Sequence, residues 1–216
     1  EACLHYNPRL TIEKLGSGDV FARLKFLSAD RVAWRLYKSG DDDLCWKVLA
    51  RAPSDSLIRL FLEARRARRD GDVAGSAAKL RKWLEVFQKS QKEPVAVWFS
   101  IDGEAASFPQ VVHGELGLAR VEEKDFEEAL YSFYTAAATT PPELLTGVPQ
   151  FWADVALVAE RMVGADALAK FCEAHCAGDG EAAKNLRHLL ARRLMREGRQ
   201  DEAGKFFPED VRPLWE

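Results

Sequence analysis

The chain has 216 residues, 47% hydrophobic and 30% charged, enough to bury a substantial core as one elongated domain or two small ones. Its 31 basic and 34 acidic residues leave a formal charge of −3, so no global field draws it to nucleic acid or to an anionic membrane surface. No apolar run approaches the ~20 residues that span a bilayer, and four cysteines in a chain this long are no disulfide framework.

Residues 1–18 read as an irregular N-terminal segment, with a turn at Asn7-Pro8 and a break at Gly16-Ser17-Gly18. Cys3 and Tyr6 are expected to tie it down. From residue 19 to residue 90 the pattern is helical. Asp19 is placed to cap a short helix with Val20, Phe21, Leu24 and Leu27 on one face. Asp30 is placed to cap the next, which carries Val32, Ala33, Leu36 and Tyr37 and ends at Gly40. Asp41, Asp42 and Asp43 suit a following helix start, and Leu44, Cys45, Val48, Leu49 and Ala52 form its stripe. A second pair is predicted between Ser54 and Ser90. Ser54 or Asp55 caps it, Asp70-Gly71-Asp72 turns it, and Val73, Ala77, Leu80, Leu84 and Phe87 line its second helix. Residues 91–109 interrupt the rhythm. PVAVWFSI (94–101) is apolar and β-rich, so the segment reads as an inserted loop, with a turn at Asp102-Gly103.

The region from 110 to 216 resumes the helical pairs and ends in a tail. Its clearest stretch is Gln110 to Pro141. Leu116-Gly117 suggests close approach to a neighbouring backbone, and Lys124-Asp125 supplies a turn. Phe126, Ala129, Phe133 and Ala136 then recur at helical spacing. The stretch resembles the helix–turn–helix of a tetratricopeptide-type repeat, whose period is about 34 residues. A helix from about 149 to 163 carries two apolar stripes (Phe151, Val155, Val158, Met162 and Trp152, Ala156, Ala159, Val163), as a helix sandwiched between neighbours would. Its expected partner runs from about 166 to 175. A last unit spans 181–208, with Leu190-Ala191 in the place of Leu116-Gly117, and the tail is expected to pack Leu214 and Trp215. Aligned small residues, at Cys45, Ala77, Ala129, near Ala169, and Ala203, give about five pairs. The predicted fold is an all-α, right-handed α–α superhelix with one inserted loop.

Three segments carry a more specific likeness: VAWRLYKSGDDDLCWKVLARAPSDS (32–56), FWADVALVAERMVG (151–164) and NLRHLLARRLMREGRQDEAGKFFPED (185–210). Over residues 26–212 the chain resembles a group of long, secreted bacterial tetratricopeptide-repeat proteins of uncharacterised function. The resemblance implies an exported α-solenoid and transfers no catalytic residue. Members of that group are longer, so it also implies a shortened relative or a fragment. The chain opens on Glu1 rather than Met, which fits a removed leader or a trimmed end. A periplasmic or otherwise exported location is the expectation, with the cytoplasm as the alternative.

Repeat arrays bind along the face lined by the first helix of each pair. That face points to Asp30, Trp34, Tyr37, Arg65, Arg68, His188 and Arg192. The aromatics suit an apolar anchor and the arginines a carboxylate. The competing reading makes Trp34 core and the arginines solvated. The matching positions of the clear repeat are apolar: Val111, Gly114, Leu118 and Val121. Arrays that clamp a chaperone's C-terminal carboxylate place Lys and Asn where this chain has Asp30 and Trp34, so that activity is not expected.

Cys172, His175 and Cys176 fall within one helical turn and offer soft ligands, though no fourth ligand for zinc is indicated. Buried small residues beside an exposed histidine is the plainer reading. The Arg65–Arg66–Arg68–Arg69 run spreads around its helix and reads as a solvated surface rather than a nucleic-acid face. No nucleophile–base pair, phosphate-cradling glycine loop or paired carboxylates occur at a recognised spacing. The expected function is therefore a protein- or peptide-interaction scaffold without cofactor. A structural component of an envelope assembly is the alternative, and an enzyme is not expected.

Overall fold

The computed structural model describes residues 29–90, 108–139, 148–176, 178 and 180–207. The irregular N-terminus, the helix expected after Asp19, the β-rich segment 94–101 and the C-terminal tail lie outside the described residues. Within them the chain is all-α, with no strand. No described helix is long and apolar enough to cross a membrane. The chain divides into two compact units at Pro94 and Val95.

The first unit contains α1 (Ala29–Lys38), α2 (Asp42–Leu49), α3 (Leu57–Arg69) and α4 (Val73–Ser90). α1 packs on α2 and α3 on α4, and α1 also meets α3. The second unit contains α5 (Phe108–Glu122), α6 (Phe126–Ala138), α7 (Val148–Arg161), α8 (Ala165–His175), α9 (Glu181–Arg196) and α10 (Gln200–Ala203). α5 begins inside the stretch expected to be inserted loop. Pro109 sits in its first turn, where its missing N–H has no intrahelical acceptor to lose.

Four helix junctions use one turn. At the end of α1, Gly40 N–H bonds Tyr37 O at 3.1 Å and Asp41 N–H bonds Leu36 O at 3.0 Å. The same two bonds recur from Gly71 and Asp72, from Lys124 and Asp125, and from Gly198 and Arg199. This pairing closes a helix whose next residue has entered the left-handed region, and Gly40, Gly71, Lys124 and Gly198 all have positive φ. The following residue then starts the next helix. Asp41, Asp72 and Asp125 each accept a hydrogen bond from the backbone N–H three residues on (Leu44, Gly75, Glu128), satisfying a donor that the helix leaves open.

The turn also fixes the packing register. Four residues after it stand Cys45, Ser76, Ala129 and Ala203, all buried. Ser76 rather than Ala77 therefore holds the small position of the second pair. Eight residues before the same reference point stand Ala33, Ala64, Gly117 and Ala191, also buried. Small residues on both helices let each pair close tightly. The side chain eight residues after the reference varies: Leu49, Leu80, Phe133 and Phe207.

Several expectations change here. Gly117 makes room for a ring rather than a backbone: a β-carbon there would lie 2.7 Å from Phe133 Cε1. And α7 does not form a close pair with α8. It packs principally on α6 and α9, while α8 packs on α9. The residue of α8 equivalent to the small position is Leu168, whose N–H bonds Gly164 O at 2.9 Å. A buried Leu168 there leaves no space for tight closure, and Ala169 is only half-buried. In the second pair Trp83, not anticipated as core, is fully buried, whereas Leu84 and Phe87 are partly exposed. Ser56, not Ser54 or Asp55, caps α3.

Candidate binding surface

In the first unit, helical spacing sets Asp30, Trp34 and Tyr37 along α1 and Phe61, Arg65 and Arg68 along α3. The contact between the helices joins the two rows. The Trp34 ring lies 5.9 Å from Tyr37 and 6.0 Å from Phe61. The Arg65 guanidinium sits over the Phe61 ring, 4.7 Å from its centre. Phe61 is fully buried, while Trp34, Tyr37, Arg65 and Arg68 are half-buried. A buried ring thus supports a partly exposed layer of aromatic and cationic groups, an arrangement that offers an apolar contact flanked by charge.

Asp30 has a different part from the one expected. It lies inside α1 rather than at its cap. Its Oδ2 accepts the Ser56 hydroxyl at 2.8 Å and its Oδ1 accepts Arg31 N–H. Ser56 in turn accepts Arg59 N–H at 3.3 Å. Asp30 therefore ties α1 to the start of α3.

Two arginines of the basic run of α3 are engaged within the protein. Arg69 binds Asp42 at 2.5 Å, Arg66 lies 3.6 Å from Asp70, and Arg66 also covers the Trp46 ring at 4.8 Å. On the far side of the helix Glu63 accepts Arg59 at 2.8 Å and also Lys79. Burial alone would lift the Glu63 carboxyl, but these two cations outweigh it and hold the group below its ordinary value.

His188 and Arg192 belong to the second unit, on α9. Arg192 does hold a carboxylate, but an internal one: its Nε is 3.0 Å from Oε1 of Glu160. Arg196 Nη1 meets the other oxygen at 2.7 Å, and Arg193 donates to the Glu160 backbone carbonyl at 2.8 Å. Glu160 is only 8% exposed and was not anticipated as a site. The readable signal is an acid late in α7 facing arginines at 192, 193 and 196 on a neighbouring helix. His188 lies edge-on to Phe207 at 6.0 Å. Burial, with Arg192 beside it, holds its basicity below the ordinary histidine value.

His175 does not join the neighbouring cysteines as a ligand. Its ring lies tilted against Phe171, 4.4 Å between centres, and approaches Tyr131 at 5.4 Å. Among the described residues no group of three or more His, Cys, Asp or Glu side chains is arranged to hold a metal. Cys45, Cys172 and Cys176 are free thiols. Burial, and Asp42 and Asp41 nearby, push the Cys45 thiol up to about 11, so it stays protonated.

A shallow cleft also runs between α6 and α8. Leu130, Val163 and Ala167 form its floor, Glu127 and Lys170 its rim, and its two lobes measure about 290 and 310 Å³.

No protein-family model matches the chain, and neither a curated protein nor a solved structure matches it.

Proposed function

We propose that the chain is a tetratricopeptide-type α-solenoid, a right-handed superhelix of about five helix pairs with one inserted loop, that serves as a protein- or peptide-interaction scaffold. The recurring turn, with its small buried residue four positions later, supports the repeat reading, since arrays of this kind reuse one packing unit. Binding runs through the face formed by first helices. The observation that carries this reading is the Trp34–Tyr37–Phe61–Arg65 cluster across α1 and α3. Tryptophan, tyrosine and arginine on a rigid support are the residue types that dominate interface energetics. The ligand class that fits is a peptide with an apolar or aromatic anchor beside a carboxylate. Asp30 and Arg192, both engaged internally, serve the frame rather than the ligand.

The test is a comparison of wild type with Trp34→Ala/Arg68→Ala in a pull-down from the native envelope. Loss of an interface anchor weakens a partner by roughly 10-fold or more, so a specific partner is lost from the variant. Equal recovery of every partner overturns this surface as the site.

A further inference from the structure

Leu157 is the most exposed large apolar side chain among the described residues, 51% open to solvent. It stands on α7, which packs into the core through Val155, Val158 and Ala159. A lone exposed leucine needs no explanation. What marks this one is the charge around it. Glu160 and Arg161 follow it by three and four residues, the spacings that make neighbours on a helix surface. Glu160 is the buried carboxylate that brings Arg192 and Arg196 across from α9, at 3.0 and 2.7 Å.

These charges do not cancel. Arg192 balances Glu160, and Arg193 is taken by Glu197 at 3.0 Å. Asp154, one turn earlier on α7, is already engaged. Arg196 meets Glu160 through Nη1 and its side chain is 39% exposed. A guanidinium carries five N–H donors, so Arg196 keeps donors for a second carboxylate. Arg161 is exposed and has no ion pair among the described residues. Positive charge is therefore in excess beside an exposed apolar side chain. Glu160 also holds Arg196 in place before any ligand arrives, which lowers the entropy lost on binding.

We propose that Leu157, Arg161 and Arg196 form a docking surface for an acidic peptide that sets an apolar side chain beside carboxylates. The apolar side chain covers Leu157. Arg161 and Arg196 take the carboxylates, which match the guanidinium fork. Arg192 stays with Glu160 as part of the frame. The surface lies wholly in the second unit and stands independently of the α1–α3 cluster.

The experiment uses the full chain and the fluorescence anisotropy of a labelled peptide built of Asp-Glu-Leu repeats. Saturable binding is expected, and it should weaken as salt rises, because exposed charges are screened. A Lys-Lys-Leu peptide and an Asp-Glu-Ser peptide should each bind at least ~10-fold more weakly. Leu157→Ser and Arg161→Glu, both at exposed positions, should each weaken the Asp-Glu-Leu peptide roughly 10-fold, the scale on which an interface anchor acts. Absence of saturable binding overturns the proposal, as does equal binding of the Lys-Lys-Leu peptide or binding that survives both substitutions. Binding lost only in Trp34→Ala/Arg68→Ala would put the peptide on the α1–α3 cluster and overturn it equally.

Discussion

Gly117 and Phe133 form a matched pair across the α5–α6 hairpin: a β-carbon on Gly117 would lie 2.7 Å from Cε1 of the buried ring. The equivalent couples in the first unit are Ala33 with Leu49 and Ala64 with Leu80. Within these three couples the larger ring goes with the smaller residue, because a close-packed interior has no spare volume, whereas the last pair sets Ala191 with Phe207, past the end of α10. Gly117→Ala should overpack this contact and lose about 1–3 kcal/mol. Adding Phe133→Leu, which rebuilds the Ala–Leu couple of the first unit, should recover part of that loss. Urea unfolding of both single variants and the double variant reads the coupling. Strict additivity would show that the two residues do not share space.

Lys124 holds φ +62° where the other three turns have glycine. A side chain in that region costs about 1–2 kcal/mol. Lys124→Gly should therefore raise stability by about 1 kcal/mol, less the greater freedom glycine has in the unfolded chain. Gly71→Ala should lower it by a similar amount. A Lys124→Gly variant that melts no higher than wild type would contradict this account of the turn.

Glu160 joins α7 to α9 through Arg192 and Arg196. Removing its carboxylate leaves those cations facing a buried amide or methyl group. The arginines are partly exposed (42% and 39% of their side chains), so water offsets some of the loss. Glu160→Ala should lose roughly 2 kcal/mol, and Glu160→Gln somewhat less. Denaturant titration of the variants measures this. The same loss after Arg192→Ala/Arg196→Ala alone would confirm that the pair acts as a unit.

Stability should fall towards acid in two windows. His113 and His188 are held below their ordinary value of 6.5, chiefly by burial. Below that pH the unfolded chain binds protons that the folded chain refuses, so stability drops as pH falls through this range. Glu63 is held below 4.5. Its contribution is present above 4.5 and is lost as pH falls through the lowered folded value. His113→Gln should make the first limb shallower, His113→Gln with His188→Gln should flatten it, and Glu63→Gln should flatten the second. Thermal midpoints between pH 7 and pH 3 separate them; a first limb that persists in the double histidine variant, or a second that persists in Glu63→Gln, has another cause.

Much of this molecule is legible in order along the chain. Apolar spacing and turn residues are local, so the helices and the left-handed Gly40 follow from neighbours a few residues apart, whereas the caps expected at Asp30 and Asp55 do not form. The partner of each helix is not local. α7 reads as sandwiched, which it is, yet its sandwiching helices are α6 and α9, because Leu168 is too large for the close contact that Ala129 and Ala203 permit. The fate of charge is also tertiary. Asp30 reads as a cap or as a groove residue until Ser56, 26 residues away, is placed 2.8 Å from it. Arg192 reads as a carboxylate binder, and only the fold shows that its carboxylate is Glu160. Periodicity by itself determined most of the residues that turn inward, though not Trp83 or Ser76. The packing of distant helices decided which polar groups were already satisfied, since a buried charge takes the nearest partner the fold supplies.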